Sequence, residues 1–467
     1  MFDVKFVFLY TDAVLWVLLA VVVFYAWRAA RMPLVARKWR RVLANKTALA
    51  AAAVLSVFFV IALSDSVHFR RALPEAIGQQ TAYETQTVSL LDVVVGEHIA
   101  GRERSYSAPF SLFDFDKTTV LTDKGSERVF QRLKGASPEI ETSGMRLKFI
   151  KKTAAGVMTA ALFLGLFWFV LAAFVKLVKG GAYTDALRCV TASDNPWRPA
   201  ILVWQATILI TALLVFWWPS WHVLGTDATG NDALLSALKS VRTAFVIGSL
   251  ATLTTLPFAV VLGICAGYFK GRVDDVIQYI YTTLSSIPSV LLIAASVLMV
   301  QVFIDKNPQL YATGLERADL RLFLLAAIIG MTSWAGLARL LRAETMKVSA
   351  MDFVTAARAF GVSHARIMAR HVFPNVVHIV LIVTVLDFSS IVLYEAVLSY
   401  VGVGVDPTMD SFGSMINAAA VEMSRSPVIW WNLLASFLFM VTLVLAANLF
   451  ASGVREAFDP RAGGRHA

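Results

Sequence analysis

The sequence predicts an all-α, polytopic membrane protein carrying a small extracytoplasmic α+β insertion, and three observations carry that prediction. The 467 residues are 58% hydrophobic and 16% charged, with a mean hydropathy of +0.67, too apolar for a soluble chain of this length. Nine apolar runs, near 11–27, 47–63, 154–176, 200–218, 241–267, 276–304, 321–341, 376–396 and 428–451, approach or exceed the ~20 residues a helix needs to cross the hydrocarbon core. The weaker alternation over about ten residues that marks an outer-membrane barrel does not occur.

The first run is followed by the linker 28–46, which holds Arg28, Arg31, Arg37, Lys38, Arg40, Arg41 and Lys46 and no acid. An excess of Lys and Arg beside a span marks the cytoplasmic side, so the N-terminus is expected outside. Counting onward puts 64–153, 219–240, 305–320 and 397–427 outside, and 177–199, 268–275, 342–375 and the C-terminus inside. The first run is read as an uncleaved anchor, because its basic residues follow the apolar stretch and no small-residue cleavage site is evident. Residues 64–153 mix short β-prone runs with turn residues, the pattern of a folded insertion. Their many Lys and Arg are compatible with export, since long domains translocate largely regardless of charge.

Within the spans, Pro257 and Pro288 interrupt apolar runs and are expected to kink them. The cluster FWWPSWH at 216–222 has the composition of an aromatic interfacial belt. The net charge of +10 is accounted for by cytoplasmic loops, so no nucleic-acid partner is expected. Cys189 falls in a cytoplasmic loop and Cys265 inside a span, so no disulfide joins them, and the scattered histidines give no metal site. Neither a phosphate-cradling G-x-x-x-x-G-K-[ST] loop, nor a nucleophile elbow, nor H-E-x-x-H is present. The chain is expected to have no catalytic residues and no phosphate-cradling loop of its own.

One cytoplasmic stretch, DFVTAARAFGVSHARIMARHVFPN at 352–375, is written differently from its surroundings. Phe353, Ala356, Ala357, Phe360, Ile367 and Val372 recur near helical spacing, with Arg358, Arg366 and Arg370 on other azimuths. Gly361 disfavours a continuous helix by about 1 kcal/mol, and Pro374 is expected to stop the run. The pattern predicts two short helices with a bend at Gly361, lying on the lipid surface or in a groove on another protein.

The spacing of Thr355-Ala356-Ala357, Gly361, His371 and Phe373-Pro374 resembles the EAA loop of ABC-importer permeases, in the version carried by the C-type subunit of the dipeptide/oligopeptide permease family. The resemblance implies the transmembrane fold of type I ABC importers and makes these residues the coupling to an ATP-binding subunit, whose closure moves the membrane helices. Thr355 stands where the family has Glu, so contacts of that carboxylate are absent or replaced. The Ala pair, the Gly and the Pro, which set the shape, are kept. HVLGTDATGND at 222–232 resembles a loop preceding the family's transport core. There Gly225 and Gly230 permit a tight turn, Thr226 or Asp227 can cap the helix that follows, and Asp232 completes the motif. Segments 267–275, 333–344, 393–405 and 454–461 also resemble the family, in the expected order.

Asp387 and Glu395 lie in or at the end of one span, eight residues apart. A mid-bilayer carboxylate costs about 2.5–3.5 kcal/mol on insertion scales, so the two are expected to line the translocation path or to form an interior polar pair. The domain order expected is an extra span and linker over 1–35, a family-like first helix over 36–63, the insertion over 64–153, an additional pair of spans over 154–218, and the permease core over 219–461. The function that the resemblance implies is an inner-membrane permease subunit translocating a small solute, peptides by family, through alternating access. Its expected partners are ATP-binding subunits holding ATP and Mg, a second homologous permease and an extracytoplasmic solute-binding protein; the chain itself needs no cofactor. The alternatives are a secondary transporter or channel, and a membrane scaffold or sensor with a degenerate core.

Overall fold

The computed structural model describes residues 4–73, 83–84, 87–96, 102–122, 125–136, 144–179, 191–192, 195–311 and 313–458. They form two compact units. The first comprises Met1–Val7, Arg40–Thr243 and Asp410–Phe450, the second Phe8–Trp39, Ala244–Met409 and Ala451–Ala467. Among the described residues nine helices are long and apolar enough to cross a membrane, and each overlaps one of the nine apolar runs.

Strand β1, Val4–Val7, precedes α1, Tyr10–Arg31, the basic α2, Pro33–Val42, and α3, Lys46–Asp65, which Asn45 caps by accepting the N–H groups of Thr47 and Ala48. After α3, β2 (His68–Arg71) pairs antiparallel with β1, Val4 opposite Arg71, and β3 (Val88–Ser89) extends the sheet. That pairing puts residues 4–7 and 68–71 on one face of the membrane, as two intervening spans require. Helix α4, Leu90–Val95, starts at a Ser89–Asp92 capping box. Strands β4, Thr118–Thr122, and β5, Gly125–Val129, form a hairpin, and the spans α5, Met145–Lys179, and α6, Arg198–Trp217, follow. Cys189 and most of the loop between these two spans lie outside the described residues.

Helix α7, Ala233–Phe269, contains Pro257 and runs through it without a break. Pro288 behaves differently. The run at 276–304 is divided there into α8, Gly271–Ser286, and α9, Ser289–Lys306. Helix α10, Gly314–Val348, crosses α7 closely enough that a Cβ on Gly263 would lie 2.7 Å from the Ala338 carbonyl oxygen, and one on Gly267 2.6 Å from that of Arg342. Small residues four apart permit such backbone approach between spans. In the same unit α1 is tied to α10, where Asp319 accepts both the backbone N–H and the hydroxyl of Thr11, all buried.

The segment after α10 forms α11, Asp352–Ala359, a bend at Gly361, and α12, His364–Ile367. A π-helical turn, Met368–Val372, leads from α12 into α13, Phe373–Tyr400. The second short helix is therefore the entry turn of a span, and Pro374 does not stop the run. It sits in the first turn of α13, where its missing N–H costs little, and the Asn375 side chain donates to the His371 carbonyl at 2.7 Å. Helices α14, Phe412–Glu422, and α15, Trp431–Phe458, are the last elements among the described residues.

Candidate functional site

Three places bear on function, and each lies inside one unit. The first is the 352–374 segment. Val354, Ala357, Ile367 and Val372 are buried in an apolar cluster with Tyr268, Ala338 and Leu341. Thr355, Ala356, Gly361 and Pro374 are exposed, and His371 and Phe373 half-buried. The apolar set read from periodicity thus divides. Phe353 and Phe360 face outward, Phe360 86% exposed, because Val354 and Ala357, not they, occupy the inward stripe of α11. Phe360 belonged to that periodic apolar set but not to the motif spacing, and only the fold shows that it stands exposed at the bend.

The bend rests on Gly361, whose φ is +74° with no atom within 4 Å of a built Cβ. The Thr355 hydroxyl donates to the Asp352 carbonyl, serving the backbone of its own turn. Tyr268 at the end of α7 contacts His364 through its hydroxyl at 2.9 Å and carries Arg358 over its ring. Arg342 grips Asp274 with two hydrogen bonds of 2.5 and 2.6 Å, and this guanidinium holds the Asp274 carboxyl below the usual range.

The second place is the 222–232 loop. Asp232, rather than Thr226 or Asp227, caps α7, accepting the Leu235 N–H at 3.0 Å. Its other oxygen meets His222 Nδ1 at 2.7 Å. Asp227 closes the preceding turn by accepting the N–H groups of Thr229 and Asn231. Thr226 donates to the Ser105 carbonyl and accepts from the Trp431 indole. Gly225 and Gly230, at φ +67° and +80°, lie where a Cβ would strike the backbone of Ser107 and Glu103.

His222 reaches Glu103 Oε1 at 3.4 Å, and Glu103 also accepts the N–H groups of Lys134 and Gly135. Burial opposes the imidazolium, but its bonds to Asp232 and Glu103 outweigh that and raise its pKa from 6.5 to about 9. The loop is thereby bound to the insertion. The 216–222 aromatics are not a belt facing lipid headgroups. Trp218 and Trp221 are buried, and Trp217 stacks on Phe149 while Phe110 of the insertion meets its edge. Sequence spacing placed His222 in the motif but could not reveal Glu103, 119 residues away.

The third place is a cavity of about 540 Å³ among α7, α8, α9, α10 and α13. Asp387 lines it together with Thr252, Thr255 and Thr384, and the Pro288 break forms part of its wall. Glu395 does not line it; it is buried and accepts the Ser399 hydroxyl at 2.6 Å. At 100° per residue, eight residues leave the two carboxylates roughly 80° apart around the helix, so they serve different surroundings. Ala335, Leu337, Leu256 and Leu284 line the cavity and also belong to, or pack on, the cluster that buries Val354 and Ala357.

Residues 259–464 match the family described as binding-protein-dependent transport system inner membrane component. Relatives include oligopeptide transport system permease protein OppC of Haemophilus influenzae, 29% identical over 52% of this chain and 71% of the relative. OppC of Escherichia coli is 30% identical over 52% of this chain and 73% of its own length. Dipeptide transport system permease protein DppC of Lactococcus lactis is 29% identical over 52% of this chain and 64% of its length. With nine candidate spans and these similarities, the chain belongs to the family of binding-protein-dependent inner-membrane transport components, the permeases of ABC importers.

Proposed function

We propose that this chain is a peptide-translocating permease subunit in which the exposed face of α11 and the Gly361 bend receives an ATP-binding subunit. The observation that carries this reading is the shared apolar cluster. Residues buried under α11 and residues walling the cavity are packed in one contact network within one unit. Protein interiors are close-packed and transmit displacement, so movement imposed on α11 reaches the cavity wall. Thr355, Ala356, Phe360 and Gly361 form the contact face, while Ala357, His371, Phe373 and Pro374 set its geometry.

The substrate class follows the names of the relatives, which handle dipeptides and oligopeptides. The remaining partners are a second, homologous permease and an extracytoplasmic binding protein, and ATP and Mg belong to the ATP-binding subunits. The N-terminus lies outside and the C-terminus in the cytoplasm, supported by the basic linker 28–46 and by the pairing of β1 with β2 on one face. The insertion, bound to the 222–232 loop through Glu103 and Thr226, is the surface that meets the binding protein.

The test is purification in mild detergent followed by peptide uptake after reconstitution. Copurification of ATP-binding subunits with ATP-dependent uptake of a tripeptide supports the reading. Uptake that persists without ATP, or a chain that purifies with no ATPase, overturns it.

A further inference from the structure

Asp387 is the one charged side chain among the described residues that line the 540 Å³ cavity. The other polar groups there are hydroxyls, and several have already spent their protons. Thr252 donates to the Gly248 carbonyl, Thr255 to Gly330, Thr332 to Ile328 and Ser286 to Thr283, at 2.6–3.0 Å. A hydroxyl that has donated its proton still offers lone pairs, so these groups can act toward a ligand only as acceptors. Ser289 and Tyr394 are hydrogen-bonded to each other at 2.8 Å. One turn before Asp387, the Thr384 hydroxyl has no hydrogen-bond partner among the described residues. The cavity therefore presents one carboxylate beside four hydroxyls left only as acceptors, while Thr384, Ser285, Ser333 and Ser390 keep a proton to give; a cationic group rich in donors complements the carboxylate and the four acceptors.

We propose that Asp387, with the hydroxyl-lined wall around it, binds the free α-ammonium group of the translocated peptide during passage. This rests on the peptide reading above. An ammonium brings three donors and one positive charge; it satisfies the carboxylate, reaches the spent hydroxyls, and leaves no buried charge unpaired. An uncharged amide at the same place supplies one donor and leaves the carboxylate alone, which is costly away from bulk water. The site thus favours peptides with an unblocked amino end, and it releases them when rearrangement of the wall readmits water.

The experiment uses the assembled transporter in proteoliposomes with its binding protein, comparing uptake of trialanine, N-acetyl-trialanine and trialanine amide. Wild-type transporter is expected to favour trialanine over the acetylated form by at least about tenfold, the scale of one charge-assisted hydrogen bond. Asp387→Asn brings that ratio close to one while import of the acetylated peptide is kept or raised, and Asp387→Glu restores the preference. Trialanine amide, which keeps its free amino end, is expected to follow trialanine in both variants. A ratio unchanged in Asp387→Asn places selection elsewhere and overturns the proposal. Equal loss of all three peptides, with normal copurification of subunits, assigns Asp387 a structural role and overturns it too. If wild-type transporter imports none of the three while its ATPase runs, the peptide reading fails and this proposal falls with it.

Discussion

His222 Nδ1 lies 2.7 Å from Asp232 Oδ2, both buried, and the same aspartate caps α7. With Glu103 on the other ring nitrogen, the imidazolium joins the start of the permease core to the insertion. The folded-state pKa of about 9 lies above the ordinary 6.5. A raised pKa means that the charged form stabilises the fold. This contribution is complete below about pH 6.5 and disappears as pH rises through about 9. Purified protein is therefore expected to lose thermal stability between pH 6.5 and 9.5, by an amount on the order of 3 kcal/mol. In His222→Gln this pH-dependent part should vanish; a melting curve with the same slope in both proteins contradicts the assignment.

Gly361 separates backbone strain from steric fit. Nothing lies within 4 Å of a Cβ at this position, so a substitution there is penalised through its positive φ alone. Gly361→Val is expected to lose about 1–2 kcal/mol or more and to abolish peptide-stimulated ATPase, whereas Gly361→Asn, which tolerates this conformation, retains most of it. Equal activity of the two variants would show that the bend is not required.

Phe360 is 86% exposed at the tip of the α11 bend. Removing it should leave folding within about 0.5 kcal/mol of wild type, as for other surface changes. Phe360→Ala should nonetheless weaken association with the ATP-binding subunit by at least about tenfold, as expected of an aromatic anchor. Quantitative copurification against salt and detergent reads the effect, and unchanged recovery argues against contact through this side chain.

Gly267 allows α7 and α10 to touch, with the Arg342 carbonyl oxygen and Thr345 Cβ both 2.6 Å from a built Cβ. Gly267→Val is expected to cost about 1–3 kcal/mol by overpacking and to disturb the Asp274–Arg342 pair at the same end. Thermal denaturation of the detergent-solubilised protein checks it, and a neutral result would mean that the two helices separate easily.

The spans were legible because hydrophobic length is a local property, and nine runs correspond to nine helices among the described residues. The interruption expected at Pro288 is present, whereas the continuation of α7 through Pro257 and the place of Pro374 in the first turn of α13 were not legible, because the outcome depends on whether neighbouring turns can absorb a missing N–H. Before Pro374 a π-helical turn and the Asn375 side chain do so. The motif at 352–374 was visible as spacing, but which apolar residues face outward depends on what α7 and α10 bury. Likewise, Asp387 and Glu395 looked alike in sequence, and only the helix azimuth places one at the cavity and the other against Ser399. Glu103 needed the tertiary fold to find its histidine.

In the proposed assembly, α11 and its bend are held by an ATP-binding subunit. The most direct measurement replaces Cys189 and Cys265, introduces Phe360→Cys, and crosslinks the assembled complex in native membranes. A crosslink to an ATP-binding protein is expected, with a yield that changes when ATP is trapped. A Cys at 360 that reacts freely with soluble or lipid-phase reagents and joins no ATP-binding protein would contradict it.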